Sequence, residues 1–419
     1  MCKKIGNMID QITVGIDVGC HQHRVAIADP GGHIIEEFDL PHEHLGFVHF
    51  FYQLLIHEQN YGLPIVIAME GVNGYARPLD QMILKKGYKL LNVNNLKLCR
   101  FREMFPSPAK TDTLDAREII KLVISAPQFG WGKKVLQEVE ATPPEHKVLK
   151  RLTRRRRQLV EEKVRLLNRM ECDIQSVCPE LLELVENKDS QCFLNLLTFK
   201  GSLTDIARIR RPTILKIYGI GKVFADKVQD WQKDAHFSEE IDIVGPMIMS
   251  DAGRIRELKT IISGLEKKIA RLIGTSRLGQ LIESIPGFGV TCTGELVAEI
   301  GNISRFTSEN SLAYYVGMAP LDNSSGKRKS TKTPRNVNTR AKMAMMTAIA
   351  HHIRSVPESK IYYNRKRREG KKYNQAVRSL GRHMVRVIWS MIKHDQFYRI
   401  KDLENLKDVK KEGNIAMVA

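Results

Sequence analysis

Residues 12–29 read Ile-Thr-Val-Gly-Ile-Asp-Val-Gly-Cys-His-Gln-His-Arg-Val-Ala-Ile-Ala-Asp, followed by Pro-Gly-Gly at 30–32. The stretch holds two short apolar runs, and residues 33–40 form a third run after the Asp-Pro-Gly-Gly turn. Short apolar runs separated by such turn residues are typical of antiparallel hairpins. We therefore predict three strands, at 13–18, 24–29 and 33–40.

The chain beyond this hairpin alternates between helical and strand-like patterns. Residues 44–59 carry apolar side chains at helical spacing, and Ile65–Met69 is a continuous apolar run. A helix is predicted over Tyr75–Lys86 and a further strand over Lys89–Val93. Antiparallel strands followed by alternating helices and strands predict an α/β domain with a mixed sheet over residues 10–140.

Four acidic residues stand at the ends of these elements. Asp17 and Glu70 each end an apolar strand, and Asp112 and Asp115 lie three apart at a predicted helix start. Carboxylates from different elements are what a hard divalent cation requires, and two such ions can support phosphoryl transfer. Taken alone, Asp112 is equally compatible with an N-cap role and Asp115 with a first-turn acid that the helix dipole favours.

Composition restricts the class of partner. The 419 residues are 42% hydrophobic and carry a formal net charge of +19, with a pI near 9.6. This charge favours a polyanion, either nucleic acid or an acidic membrane surface. No apolar run is long enough to predict a membrane span, and no signal-peptide core follows Met1, so we expect a cytoplasmic protein. The seven cysteines form no CxxC pair, which argues against a zinc site or a disulfide framework.

Residues 141–280 are predicted to be a helical region. A long helix with coiled-coil character is expected over about 143–190, and Gly245-Pro246 is expected to interrupt the helices that follow. Four consecutive arginines occupy the first of these helices: Arg154, Arg155, Arg156 and Arg157. They fit a solvated helix face and a stripe that binds a nucleic-acid backbone equally well.

Residues 281–400 are predicted to form a separate basic α-rich domain, followed by a charged tail at 401–419. It opens on Ile285-Pro-Gly-Phe-Gly289, in which Gly287 and Gly289 form a Gly-x-Gly turn between helices. Such a turn resembles a helix-hairpin-helix and lets backbone N–H groups approach a phosphate. A second copy of the pattern is Ile217-Tyr-Gly-Ile-Gly-Lys222.

Two further stretches are rich in cations. The loop after Asn323 contains Lys327, Arg328 and Lys329 beside Ser324 and Ser325, and it contains no acid before Arg340. Such a loop suits phosphate contacts, whereas its serines have the ordinary composition of a turn. Residues 361–373 interleave tyrosines with basic residues and read either as a nucleic-acid face or as a soluble surface; the bases include Arg365, Arg367 and Arg368.

These motifs, in this order, resemble the DEDD transposases of the insertion-sequence 110 family. The resemblance covers about residues 12–393. Its most specific motif is Lys110-Thr-Asp-Thr-Leu-Asp-Ala-Arg117. The other matching pieces are Val14–Val18, Met69-Glu70 with Tyr75, Ile285–Gly289, Arg305-Phe306, Tyr314–Pro320 and Ser325-Gly326.

The resemblance implies a fold and a mechanism. It implies an N-terminal RuvC-like domain of the RNase H class, a coiled-coil insertion and a C-terminal transposase domain. Asp17, Glu70, Asp112 and Asp115 would hold Mg²⁺, with Mn²⁺ as a substitute, and Ser325 would attack DNA through a transient phosphoserine link. Partners would be donor and target DNA, a structured bridge RNA and further copies of the chain as a dimer or tetramer, in a nucleoid-associated setting.

Three functions are compatible with these residues. The first is a transposase that uses the carboxylates together with Ser325, for which Ser324 is the competing nucleophile. The second is a metal-dependent junction nuclease that uses the same four carboxylates with water as nucleophile. The third is a nucleic-acid-binding scaffold without catalysis. We expect the first, because all four acids and the serine are present.

Overall fold

The structure is a computed structural model of the chain. It describes residues 10–72, 74–103, 112–128, 135–323, 331–332, 334 and 337–399, without the side chains of 112–114, 127–128, 322 and 331. The chain divides into two compact units, Met1–Ala141 and Thr142–Ala419. The proposed subdivision of the second unit near residue 280, and the tail at 401–419, stay predictions.

The described residues of the first unit form a mixed six-stranded sheet in the order β3-β2-β1-β4-β5-β6. The first three strands are antiparallel neighbours, whereas β1, β4 and β5 run parallel, which confirms the predicted mixed sheet. The strands are β1 (Ile12–Val18), β2 (Gln22–Ala28), β3 (Ile34–Pro41), β4 (Ile65–Glu70), β5 (Lys89–Val93) and β6 (Leu136–Glu138).

Helices cover both faces of this sheet. The side chains of each central strand point alternately to the two faces and are apolar on both, so both faces are buried. One face buries Val14, Ile16 and Ile67 against α1 and α2. The other buries Val66 and Ala68 against α4. The helices of this unit are α1 (His44–Tyr61), α2 (Arg77–Lys85), α3 (Asn95–Arg102) and α4 (Asp112–Gln128).

Two elements of the first unit were not predicted. Helix α3 buries only Leu98 and Phe101, so its sequence has little apolar periodicity; Asn94 defines its start by accepting a hydrogen bond from the Lys97 amide. Strand β6 is three residues long and pairs with β5 at the sheet edge. A strand of that length is too short for an alternating pattern to be recognised.

The second unit is mainly helical in its described part, with one two-stranded ribbon. Its helices are α5 (Pro144–Val177), α6 (Gln191–Leu197), α7 (Leu203–Ile206), α8 (Arg211–Ile214), α9 (Lys222–Lys233), α10 (Ile241–Thr275), α11 (Arg277–Glu283), α12 (Val290–Ile300), α13 (Glu309–Tyr315), α14 (Thr339–Ser355), α15 (Pro357–Arg368) and α16 (Tyr373–His394). Short 3₁₀ helices lie at Pro179–Leu184 and Ile303–Arg305. The ribbon pairs β7 (Leu321–Asp322) with β8 (Thr331–Lys332).

Helices α5 and α10 run antiparallel. Ion pairs Arg156–Glu266 near one end and Arg169–Asp251 near the other join them. Two predicted details were wrong. Helix α5 ends at Val177 rather than near 190, because Pro179 disfavours the helical conformation of Cys178. Helix α10 passes through Pro246 without a break, and the apolar face that begins at Ile248 and Ala252 packs it against the hydrophobic core that contains Phe193 and Trp231.

The two larger hydrophobic cores among the described residues of the second unit are separate, and a small third cluster, Leu159, Leu258 and Ile262, lies between α5 and α10. One lies among α6–α10 and contains Phe193 and Trp231, and the other lies around α12, α14 and α16 and contains Phe288 and Leu380. None of the described helices combines the length and apolar character that a membrane-spanning helix requires.

Candidate metal centre and nucleic-acid surfaces

Asp17 and Glu70 are brought together by strand register. Ile16 of β1 is opposite Met69 of β4 in a parallel pair, so the next residues along, Asp17 and Glu70, stand side by side. Neighbouring strands are ~4.8 Å apart, and opposed residues of a parallel pair point to the same face. Both acids are partly exposed at the carboxyl end of their strands.

That face is the one covered by α4. A side chain at Gly15 would overlap the carbonyl oxygen of Ala116, so the helix lies directly on β1. Farther along α4, Ile124 lies beside Gly32, near the opposite end of β1. The helix therefore runs antiparallel to β1, and its first turn, which contains Asp112 and Asp115, lies toward the edge that carries Asp17.

Asp115 occupies a mostly buried position in this first turn, with 7% of its surface exposed. The Arg102 guanidinium lies 3.2 Å from Asp115 Oδ1 and 2.7 Å from Glu118 Oε2. Arg102 and Glu118 were not predicted, since only the folded chain brings the end of α3 against α4. The side chain of Asp112 lies outside the described residues, although α4 begins at that residue.

A second charged network borders the same face. Arg24 is opposite Asp17 in the β1–β2 register, and its Nη1 atom lies 3.1 Å from Asp39 Oδ1. Arg117 of α4 donates through Nε to Glu37 at 2.6 Å, and this contact is the main reason that the pKa of Glu37 is lowered despite partial burial. The sequence pattern did not point to Glu37 or Arg24, because each pairs with residues far along the chain.

The donor set at this edge fits a hard divalent cation. Asp17, Glu70 and Asp115 supply carboxylate oxygens, the ligand type that Mg²⁺ prefers. No cluster of three His, Cys, Asp or Glu side chains lies close enough to bind an ion among the described residues, which leave out the Asp112 side chain. The carboxylates at this sheet edge are therefore suitable ligands for Mg²⁺. Which of them bind the ion stays a prediction.

The segment with the two candidate serines lies between β7 and β8 in the sequence. Ser324, Ser325, Lys327, Arg328 and Lys329 fall outside the described residues. Asn338, which follows the loop, caps α14 by accepting from the Ala341 amide and also donates to Glu299 Oε2 at 2.8 Å.

The Glu299 carboxylate is the centre of a buried network that the sequence did not reveal. It is 1% exposed and accepts two hydrogen bonds from Arg154, at 2.9 and 3.1 Å. Burial would raise the pKa of Glu299, but Arg154, Lys150 and Asn338 outweigh it and lower the pKa below its ordinary value. The Tyr315 hydroxyl donates to the Glu299 carbonyl oxygen at 2.7 Å, and Arg305 lies over the rings of Phe306 and Tyr315. Two of the family-like motifs therefore border this network.

Three of the four consecutive arginines on α5 form ion pairs within the unit. Arg154 binds Glu299, Arg156 lies 2.6 Å from Glu266, and Arg157 binds Glu295. Arg155 is exposed and forms no ion pair with the described residues. The three paired residues thus hold α5 against α10 and α12, and their predicted contact with nucleic acid stays a prediction.

The turn at 285–289 is built as a tight hairpin between α11 and α12. Gly287 has φ +90°, and a side chain there would overlap the backbone of His352. Gly289 precedes α12 and has open space where a side chain would lie. With Arg156 and Arg157 the turn lines a groove of about 1060 Å³. Two of the predicted nucleic-acid elements therefore share one groove, which Glu161, Glu266 and Glu295 also line.

Helix α15 presents the third predicted basic surface. Arg365, Arg367 and Arg368 are exposed, and the Arg365 guanidinium lies 5.0 Å from the centre of the Tyr362 ring. Tyr362 is held in turn by His383 at 3.0 Å. Tyr362 therefore supports Arg365 through a cation–π contact.

Comparison with known proteins gives similarities over both units. A family model described as a transposase, DEDD_Tnp_IS110, matches residues 14–179. A second, described as "Transposase IS116/IS110/IS902 family", matches residues 279–364. The two matches together span more than half of the chain.

Curated relatives match most of the chain at modest identity. The "Insertion element IS116 uncharacterized 44.8 kDa protein" of Streptomyces clavuligerus is 24% identical over 93% of this chain and 96% of its own length. The "Insertion element IS110 uncharacterized 43.6 kDa protein" of Streptomyces coelicolor is 26% identical over 92% and 95%. The "Transposase for insertion sequence element IS1111A" of Coxiella burnetii is 21% identical over 33% and 39%.

Proposed function

Because this chain belongs to the insertion-sequence 110 family of transposases and so acts on DNA, we propose that it cuts and exchanges DNA strands through a divalent-metal site and a serine nucleophile. The observation that carries the proposal is the sheet edge. Asp17 and Glu70 stand side by side on the face beneath α4, whose first turn contains Asp112 and Asp115.

We propose that these four carboxylates hold Mg²⁺, for which Mn²⁺ can substitute. When bound, the metal would supply positive charge to the phosphate oxygens of the reacting bond. Arg102 would keep Asp115 oriented, since its guanidinium lies between Asp115 and Glu118. The ion pairs that Glu37 forms with Arg24 and Arg117 would hold the adjacent part of the same sheet face in place.

We propose Ser325 as the nucleophile. Its hydroxyl oxygen would bond to phosphorus while the bond from phosphorus to the departing strand breaks, and that strand's oxygen would take up a proton. Attack by the hydroxyl of a second strand on the phosphoserine would reverse these changes and release the serine. Because a phosphoester is kept throughout, strand exchange would require no external energy source.

Covalent trapping on a labelled DNA duplex tests this mechanism. We expect Ser325→Ala to abolish both the protein–DNA adduct and strand exchange, and Asp17→Asn to do the same. Ser324→Ala is the matched control and should keep both. Normal cleavage by Ser325→Ala without an adduct would instead support the water-dependent nuclease, and full activity in EDTA would exclude the metal.

We further propose that target choice comes from a structured bridge RNA, bound by a dimer or tetramer of the chain in the nucleoid. Pairing between guide and DNA would supply the sequence choice, while Lys327, Arg328, Lys329 and the cations of α15 contact backbones. RNA that copurifies with the full chain and is required for site choice is the expected result. Unchanged site choice after complete RNase treatment would contradict it.

A further inference from the structure

The two Gly-x-Gly turns of the second unit have the same backbone. Gly219 and Gly287 both have positive φ, +84° and +90°. Gly221 and Gly289 both have extended backbones, with φ/ψ of −92°/174° and −70°/171°, and neither helix that follows has a side-chain cap. The turn at 217–221 is therefore a structural repeat of the turn at 285–289.

Their surroundings differ. A side chain at Gly287 would overlap the backbone of His352, whereas the nearest atom to one at Gly219 is 3.9 Å away. The turn at 285–289 is therefore packed against α14. It contains Pro286, and Val290 follows it directly. The earlier turn carries Tyr218 and Lys222 at the corresponding positions, and both are exposed.

The exposed surface of the earlier turn, residues 216–223, combines cations with apolar groups. Tyr218 is 82% exposed and Val223 is 75% exposed, the two highest values among the large apolar side chains that the structure describes. Lys216 and Lys222 are also exposed, and neither forms an ion pair within the part of the chain that the structure describes. The nearby acid Asp226 is already paired with Arg211 at 2.8 Å.

This surface is held in place from behind. Asn195 of α6 donates to the Tyr218 carbonyl oxygen at 2.8 Å, and Gln191 donates to Asn195 Oδ1 at 3.0 Å. Ile217 and Ile220 are buried in the hydrophobic core that contains Phe193 and Trp231. The backbone of the turn is thus held in one conformation, which lowers the entropic cost of ordering it on binding.

We propose that the 216–223 surface is a DNA-backbone contact of the helical insertion, separate from the metal site and from the basic surfaces described above. The occupant is duplex DNA, because the surface offers unpaired lysines to phosphates and because DNA is the substrate of the family. Lys216 and Lys222 contact phosphates on either side of the turn. Tyr218 and Val223 lie against the sugars, and the contact carries no sequence preference.

The test is DNA binding by the full chain at several salt concentrations, using a non-target duplex. We expect Lys216→Gln combined with Lys222→Gln to weaken binding about tenfold at ~0.1 M salt and to reduce the salt slope by about two. The matched control is Lys85→Gln combined with Lys86→Gln at the end of α2, which removes the same charge from two exposed lysines in the first unit. An equal loss in both double variants would overturn the proposal.

A second variant changes shape without changing charge. Gly221 has ordinary φ and open space, so Gly221→Val should fold normally yet place a branched side chain against the DNA backbone. We expect it to weaken DNA binding at least fivefold, whereas Gly264→Ala, also in open space, has no effect. Wild-type DNA affinity in Gly221→Val, or a loss confined to RNA hairpins of equal length, would contradict the proposal.

Discussion

At the scale of single residues, several ion pairs join side chains that only the folded chain brings together. Sequence patterns identified the acids at strand ends, because Asp17 and Glu70 each close an apolar run. They did not identify Arg102, Glu118 or Glu299, whose partners lie far away along the chain. A long-range pair leaves no periodic signal, so its discovery required the structure.

The Arg154–Glu299 pair gives the first prediction. Removing Arg154 leaves the buried Glu299 carboxylate without its closest positive charge. Arg154→Met should therefore lower the free energy of unfolding by roughly 3 kcal/mol. Urea unfolding of the full chain measures it. The adjacent Arg155→Met is the control and should change that free energy by less than about 0.5 kcal/mol, since Arg155 is exposed. Equal effects at both positions would contradict the network.

The pKa of Glu299 gives a pH dependence. Burial opposes ionisation, but Arg154 and its neighbours lower the folded-state pKa below the unfolded value. The stabilisation is therefore fully present above the ordinary pKa of a glutamate, about 4.3, and is lost as pH falls through the lower folded value. The difference in unfolding free energy between the wild type and Glu299→Gln should shrink between pH 5 and the acid limit of folding. A difference that grows on acidification would be inconsistent with this sign.

Arg102 gives a prediction that links stability to metal. Arg102→Met leaves Asp115 and Glu118 as two neighbouring acids without their shared cation. We expect a lower melting temperature in EDTA, and a larger rise on adding Mg²⁺ than the wild type shows, because the ion replaces the lost positive charge. Glu58→Gln, which loses a carboxylate paired with Tyr88 on the other face, serves as control. Identical Mg²⁺ shifts in wild type and Arg102→Met would show that the ion does not replace the positive charge of Arg102 beside Asp115.

At the scale of elements, the strands β1–β5 and the long helices were predictable, and their ends and short partners were not. Alternation and apolar runs predicted β1–β5, because a buried sheet needs them. Strand β6 and α3 were missed, since tertiary pairing rather than local pattern creates them. The end of α5 follows from Pro179, while α10 shows that packing can override a proline.

The contact between β1 and α4 is testable through Gly15. A methyl group there would meet the Ala116 carbonyl and Ile120, so Gly15→Ala should displace α4 and cost roughly 2 kcal/mol of unfolding free energy. DNA cleavage should fall with it, since α4 carries Asp112 and Asp115. Gly253→Ala on α10, where nothing lies within 4 Å, should be neutral or slightly stabilising. Unchanged stability in Gly15→Ala would mean that the helix does not pack on this strand.

For the whole molecule, the family explains why such different units share one chain. The matched family regions fall in both, at residues 14–179 and 279–364. The carboxylate edge lies in the first, and the segment with Ser325 lies in the second. The helices of 191–275 fall between the matched regions, and their proposed contact with DNA rests on the exposed surface of residues 216–223 and on the substrate of the family.

The proposed mechanism depends on metal binding by the sheet edge. Titration of the full-length protein with Mn²⁺, followed by electron paramagnetic resonance, measures it directly. Asp17→Asn and Glu70→Gln should each weaken Mn²⁺ binding by about tenfold or more and abolish DNA cleavage. Asp29→Asn, at the far end of the hairpin, should leave both unchanged. Wild-type Mn²⁺ affinity in Asp17→Asn and Glu70→Gln would contradict a metal centre at this edge.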